Sequence, residues 1–134
     1  LKIGQDVTER RAAEQALHES EERFRQFGEA SSDLIWIRDA ETMAYEYVSP
    51  AFETIYGRKR AEIGDQLECW AGMIHPDDRH RVLANLERVR EGERVAHGFR
   101  VLRPDGEVRW IDDVDFPLRD ADGRITRIGG IGHD

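Results

Sequence analysis

The sequence predicts an α+β domain: a five-stranded antiparallel sheet with short helices and one longer helix on one face, preceded by an N-terminal helix. Three observations carry this reading. Residues 7–29 contain no proline and a single glycine, Gly28, near their end, which suits one continuous helix. From residue 33 the pattern changes to short apolar or alternating runs, which suits strands. In the C-terminal part, three strand-length runs are separated by Pro104-Asp105-Gly106 and Asp122-Gly123, the turn chemistry of an antiparallel meander.

The elements follow in order. Asp6 precedes Val7, with Glu9 three positions on, a spacing that fits a capping box. Ile3, Leu17 and Phe24 share one seven-residue row, and Ala13, Ser20 and Phe27 share its companion. This weak heptad stripe suits either a dimeric coiled coil or a helix lying on its own domain, with the Phe24/Phe27 end packing on a core. "DLIWIRD" (33–39) reads as a strand apolar on both faces, and "AYEYVS" (44–49) as an alternating one. The turn between them lacks the usual glycine. In "SPAFETIYG", Ser49 is expected to cap a short helix with Pro50 in its first position and Gly57 ending it. Short helical turns follow in "KRAEIG" and "QLECWAGMI". "HPDDRHRVLANLERVREG" is the clearest helix. His75 sits at its cap, Pro76 at position one, and Asp77 and Asp78 in the positive first turn. Val82, Leu83, Leu86 and Val89 form one stripe, and Gly92 ends the helix. Strands are expected at 94–103, 107–118 and 124–132. Along the middle one Trp110 and Ile111 point to opposite faces, so both faces of the sheet carry apolar groups. One face takes the central helices; the N-terminal helix or a partner subunit can take the other.

Composition narrows the function. The chain has 134 residues, 36% of them charged, and a net charge of −8. That length supports a core without disulfides or metal, and the acidic balance argues against nucleic acid as a partner. One cysteine, Cys69, excludes a disulfide framework and a cysteine-rich zinc site. No apolar run approaches the roughly 18 residues of a membrane span, and no signal peptide is visible. The chain reads as cytoplasmic, without direct membrane contact, which leaves a membrane-anchored parent open.

The order of elements and five stretches, "SEERFRQFGEASSDLIWIRD", "YVSPAFETIYG", "HPDD", "FRVLRPDGEVRWI" and "PLRDADGRITRIGGIGHD", are specific together. Over residues 20–134 the chain resembles a PAS domain, the five-stranded sensory module of signalling proteins. It departs from the family in the glycine-less turn after Asp39 and in Ser49, where asparagine is common. The family typically closes on Gly-x-x-x-Asp-Ile-Thr-Glu and opens a signalling helix there. Residues 4–9, Gly-Gln-Asp-Val-Thr-Glu, look like that ending, and "IGQD" at 3–6 returns as "IGHD" at 131–134. The resemblance therefore implies the end of a preceding PAS domain at 1–6, a signalling helix at 7–29 and a PAS domain at 30–134. It implies a multi-domain bacterial or archaeal sensor with tandem PAS domains and a histidine kinase output, with a diguanylate cyclase or phosphodiesterase as the alternative. The segment itself is then a non-catalytic sensory and dimerisation module, or a passive dimerisation scaffold. Its partners are a second copy, met through the N-terminal helix and sheet face, and the flanking PAS and output domains. Asp6, Thr8, Glu9 and Asp134 become the signal-transmission junction.

Candidate chemistry elsewhere has simpler explanations. His18-Glu19 lacks the Leu-Arg and Thr-Pro continuation of a phosphoacceptor, and there is no convincing phosphate loop, so a solvated helix face accounts for it. His75, Asp77, Asp78 and His80 have metal-like spacing, but a helix start explains His75 and both aspartates; no metal is expected. His80 lies beside the apolar stripe rather than in it, which counts against haem. "LECWAGM" around Cys69 is unlike the flavin-adduct motif of light-sensing relatives. The cofactor is unknown, and neither haem nor flavin is expected. Asp113 and Asp115 share a strand face opposite Asp112 and are expected at an exposed strand end, not in an acid–base pair. Trp36, Phe52, Ile55, Trp70, Met73, Ile74, Leu86, Phe99 and Trp110 form the large apolar set. If the cavity under the sheet holds a ligand, its lining is Phe52, Ile55, Trp70, Met73, Leu86, Phe99 and Ile128; a filled cavity is the stronger expectation. Gly129, Gly130 and Gly132 remove side chains from the last strand and let a neighbouring group approach closely.

Overall fold

A computed structural model describes the backbone of residues 3–134 and the side chains from Asp6 onward. The chain forms two compact units that meet between Ala30 and Ser31 in sequence.

The first unit is one helix, α1 (Ile3–Ala30). It begins before the expected residue 7, so Asp6 lies in its first turn rather than at its cap. An acidic side chain there still faces the positive end of the helix dipole. The expected domain ending at residues 1–6 and the side chain of Ile3 lie largely outside the described residues. Leu17, Phe24 and Phe27 are exposed, Phe27 at 77%, so the Phe24/Phe27 end is not buried in a core.

The second unit holds β1 (Leu34–Asp39), β2 (Tyr45–Val48), α2 (Ala51–Tyr56), a 3-10 turn (Arg60–Ile63), α3 (Leu67–Ala71), α4 (Pro76–Arg90), β3 (Val95–Leu102), β4 (Val108–Arg119) and β5 (Ile125–His133). The strands form one antiparallel sheet in the order β2-β1-β5-β4-β3. Three hairpin-like connections and a long helical crossover from β2 to β3 place the last strand at its centre. Strand β5 therefore touches both β1 and β4 along its length.

Local chemistry explains the turns. The β1–β2 turn closes without glycine because Met43 takes a left-handed backbone at φ 63°. The Asp39 carboxylate accepts the amides of Glu41 and Thr42 at 2.8 and 2.9 Å, and the Met43 amide returns to the Asp39 carbonyl. Buried Met43 pins this strained residue into the core. Ser49 does not cap α2; Pro50 holds that position. The Ser49 hydroxyl accepts the Ile35 amide at 2.8 Å and donates to the Asp33 carbonyl at 3.1 Å, which stitches β1 to the end of β2. Helix α4 starts as expected, with the His75 ring accepting the Asp77 amide at 3.1 Å.

One face of the sheet packs on the helices. Leu34 and Trp36 of β1, Val95, Phe99 and Val101 of β3, Ile111 of β4 and Ile128 of β5 meet Phe52, Ile55, Tyr56, Trp70, Ile74, Val82, Leu86 and Val89. Leu83, expected in the α4 stripe, is half-buried. The opposite face is apolar but open: Trp110 is 62% exposed, and Val108 and Ile131 are exposed beside it. Trp110 is thus not a core residue. Its ring stacks under Arg100, whose guanidinium carbon lies 5.3 Å from the ring centroid.

Candidate functional site

All seven residues expected to line a ligand cavity are buried. Phe52, Trp70 and Leu86 border a cavity of about 10 Å³, together with Leu34, Trp36, Arg38, Tyr45, Val48, Tyr56 and Asp113. Ile55, Met73, Phe99 and Ile128 belong to the surrounding core and are not among its lining. The cavity is at the threshold for a single water. Its ring of groups is more polar than the sequence suggested.

Two polar systems meet there. The first centres on Arg38, 1% exposed. Its guanidinium carbon sits 3.5 Å from the Tyr45 ring centroid and 5.4 Å from that of Trp70, and Nη1 donates to the Met43 carbonyl. Its Nη2 has no partner. Tyr56, stacked on Phe52 at 4.5 Å, accepts the Trp70 indole N–H at 3.0 Å.

The second system is acidic, and here the structure overturns an expectation. Asp113 and Asp115 are not at an exposed strand end; they are 4% and 1% exposed, on the helix side of β4. His97 Nε2 lies 2.9 Å from Asp115 Oδ2, and His97 Nδ1 lies 2.9 Å from Asn85 Nδ2 on α4. Arg88 donates to Asn85 Oδ1 at 3.2 Å, which holds that amide in place. Asp113 Oδ1 and Asp115 Oδ1 have no partner. Room for both carboxylates comes from β5. Asp113 pairs with Gly132 and Asp115 with Gly130, and a Cβ on Gly130 would lie 2.6 Å from Asp115 Oδ1.

Burial dominates the electrostatics, because removing water penalises a charge. It pushes the Asp113 carboxyl well above the usual range, and the neighbouring Asp115 adds to the rise. It raises Asp115 to about 7, against hydrogen bonding from Asp113 and the pull of Arg38. Both carboxyls are thus pushed toward their protonated forms. Burial also lowers His97, which is therefore neutral. Tyr45 is pushed up to about 12 by burial, with Arg38 opposing.

The junction residues fall at the two ends of the chain. Asp6, Thr8 and Glu9 are exposed in the first turns of α1. Asp134 follows β5 and accepts Arg109 Nη1 of β4 at 2.6 Å. His18, His80 and Cys69 are exposed, and His75 serves as the α4 cap. Sequence reasoning missed Arg38, Tyr45 and His97. The available signal was a pair of alternating aspartates on β4 facing a pair of alternating glycines on β5.

A five-stranded antiparallel sheet with its long crossover helix on one face, closed over its interior instead of open as a cleft, defines a small α+β domain of the PAS type. The family assignment agrees: residues 45–132 match the PAS fold, and the chain belongs to that family. It is 30% identical over 133 residues to protein y4lL of Sinorhizobium fredii, covering 97% of this chain and 16% of that protein. It is 30% identical over 131 residues to the two-component sensor PprA of Pseudomonas aeruginosa, covering 96% of this chain and 14% of that sensor. Among solved structures, it resembles the N-terminal domain of a diguanylate cyclase with PAS/PAC sensor from Marinobacter aquaeolei. There the TM-score is 0.69 at 29% identity, over 76% of this chain and 94% of that one. The chain thus spans less than a fifth of the curated relatives it matches, and no helix among its described residues is long and apolar enough to cross a membrane.

Proposed function

We propose that this PAS domain is the sensory module of a two-component histidine kinase, and that changes at its buried polar cluster reach the output through β5. One observation carries the reading. Strand β5 lays Gly130 and Gly132 directly against Asp115 and Asp113, and the chain then runs to Asp134, which Arg109 of the neighbouring β4 holds at the end of this central strand. A shift of the carboxylates has no side chain on β5 to absorb it, so it moves the strand backbone and the Arg109–Asp134 pair with it. Phe52, Trp70 and Leu86 fix the other wall of that interior, with Ile55, Met73, Phe99 and Ile128 behind them. Asp6, Thr8 and Glu9 form the incoming side of the relay.

The kinase assignment is supported by the likeness to a two-component sensor. A second reading, a diguanylate cyclase output, is favoured by the likeness to the Marinobacter domain. Both use the same relay. The test is autophosphorylation, or cyclic dinucleotide synthesis, by the full-length protein carrying Arg109→Ala or Asp134→Ala. Either substitution is expected to change the output while the domain keeps its melting temperature. Unchanged output across the whole signal range refutes the relay.

A further inference from the structure

We infer that His97, Asp113 and Asp115 form a binding site for one divalent first-row transition-metal ion, of the zinc type, at the inner face of the sheet. One ligand atom from each residue lies within 4.8 Å of the other two. The side chains of His97 and Asp115 are 5% and 1% exposed, and Asp113 is 4% exposed. Two carboxylate oxygens, Asp113 Oδ1 and Asp115 Oδ1, are buried with no hydrogen-bond partner. Orphaned acceptors of this kind are costly, and a cation is the ligand that satisfies two at once.

Three further features support a built site. First, β5 carries no side chain opposite either aspartate, having Gly132 and Gly130 there, and the Asp115 carboxylate and the Trp36 indole fill the space over Gly130. Second, the His97 ring is fixed from behind by Asn85, whose Nδ2 lies 2.9 Å from Nδ1 and whose Oδ1 is held by Arg88. Third, Asp113 borders a cavity with the volume of one water, which leaves room on its side of the site for a ligand that is not protein. Arg38, the cation of that lining, is drawn over the Tyr45 ring.

The donor set selects the ion. An imidazole with two carboxylates suits zinc, iron(II), cobalt(II) or manganese(II). Calcium needs six to eight oxygens, and magnesium keeps most of its waters. The site is independent of whichever output the domain feeds.

The experiment is calorimetric titration of the chelator-stripped chain with zinc chloride, and absorption spectroscopy with cobalt(II) chloride. One ion per chain is expected, with a raised melting temperature and visible cobalt bands of low coordination number. His97→Ala and Asp115→Asn should each abolish saturable uptake, whereas His80→Ala, on the exposed side of α4, should not change it. Should the first two variants fail to fold, Asn85→Asp gives the imidazole a carboxylate partner without touching a ligand. It is expected to tighten binding about tenfold, the size of an outer partner's contribution. Absence of stoichiometric uptake by the wild-type chain overturns the site and leaves a shared proton in its place. So does uptake that folded His97→Ala retains, or that Asn85→Asp leaves unchanged.

Discussion

Replacing Asp78 by alanine should destabilise the domain more than any other single change of a polar residue on α4. Asp78 lies in the first turn of α4 and is 5% exposed. Its Oδ2 accepts the Arg100 backbone amide at 2.8 Å and Arg100 Nε at 3.0 Å; its Oδ1 accepts Arg100 Nη2 at 2.8 Å. Arg81 adds a looser contact at 3.5 Å. The carboxylate thus bolts the start of the long helix to the middle of β3. Removing one partner of a buried ion pair costs about 3–5 kcal/mol. The Arg100 side chain is 27% exposed and regains water, which argues for the lower end. The backbone amide left without an acceptor keeps the cost from falling further, since an unsatisfied donor costs about 1–3 kcal/mol. About 3 kcal/mol in total should lower the melting temperature by roughly 12–20 °C in a domain of this size.

The same substitution has a pH signature. Hydrogen bonds from Arg100 hold the Asp78 carboxyl well below its ordinary value of 3.8. A depressed folded-state value means that the stabilisation is present above the unfolded value and is lost as pH falls through the folded one. The gap between wild type and Asp78→Ala should therefore be full at pH 7 and should narrow in acid, from roughly pH 5 downward. Urea denaturation of both proteins at neutral and acidic pH measures it. The raised carboxyls of Asp113 and Asp115 are common to both proteins and cancel in the difference. A gap under about 1 kcal/mol at neutral pH, the range of a surface ion pair, or one that does not narrow in acid, refutes the reasoning.

Two further substitutions probe the interior. Gly130→Ala places a methyl against the Trp36 indole and 2.6 Å from Asp115 Oδ1, and overpacking of this kind costs about 1–3 kcal/mol. Gly132→Ala, whose nearest contact is 3.3 Å, should cost less by the same urea assay; equal costs would show that the cluster tolerates a shift of β5. Tyr56→Phe removes the acceptor of the buried Trp70 indole N–H and should cost about 1–3 kcal/mol. Adding Trp70→Phe to it should cost less than the sum of the two single changes, because no orphaned donor then remains; strict additivity would show that the bond contributes nothing.

Much of the architecture was legible in the chain. The turn residues Pro104-Asp105-Gly106 and Asp122-Gly123 place the β3–β4 and β4–β5 boundaries within a residue of those observed, because such turns demand particular backbone angles. Pro76 with two acidic neighbours marks the start of α4 for the same kind of local reason. The β1–β2 turn was less legible. Its left-handed residue is Met43, and the strain there is tolerated only because the methionine side chain is buried in a core assembled from distant parts of the chain. Ser49 misled for a related reason. A serine before a proline reads as a cap, yet its hydroxyl is engaged by Ile35 and Asp33, fourteen and sixteen residues away.

The candidate site shows where sequence stops. Alternation alone determines that Ile111, Asp113 and Asp115 share one face of β4, and that Trp110, Asp112, Val114 and Phe116 share the other. By hydrophobicity the second set looks like the buried one. The structure buries the first, leaving Trp110 exposed and two aspartates inside. A period of two fixes which residues travel together but is blind to which face meets the helices, and choosing the other face inverts every side chain at once. That choice was made by β5, where Gly130 and Gly132 open space on the inner side, and by α4, which brings Asn85 to His97 and Asp78 to Arg100. The sequence by itself determined the elements, their order and the family they build. Only the packing of sheet on helix decided that this sensory domain keeps its acids in its core.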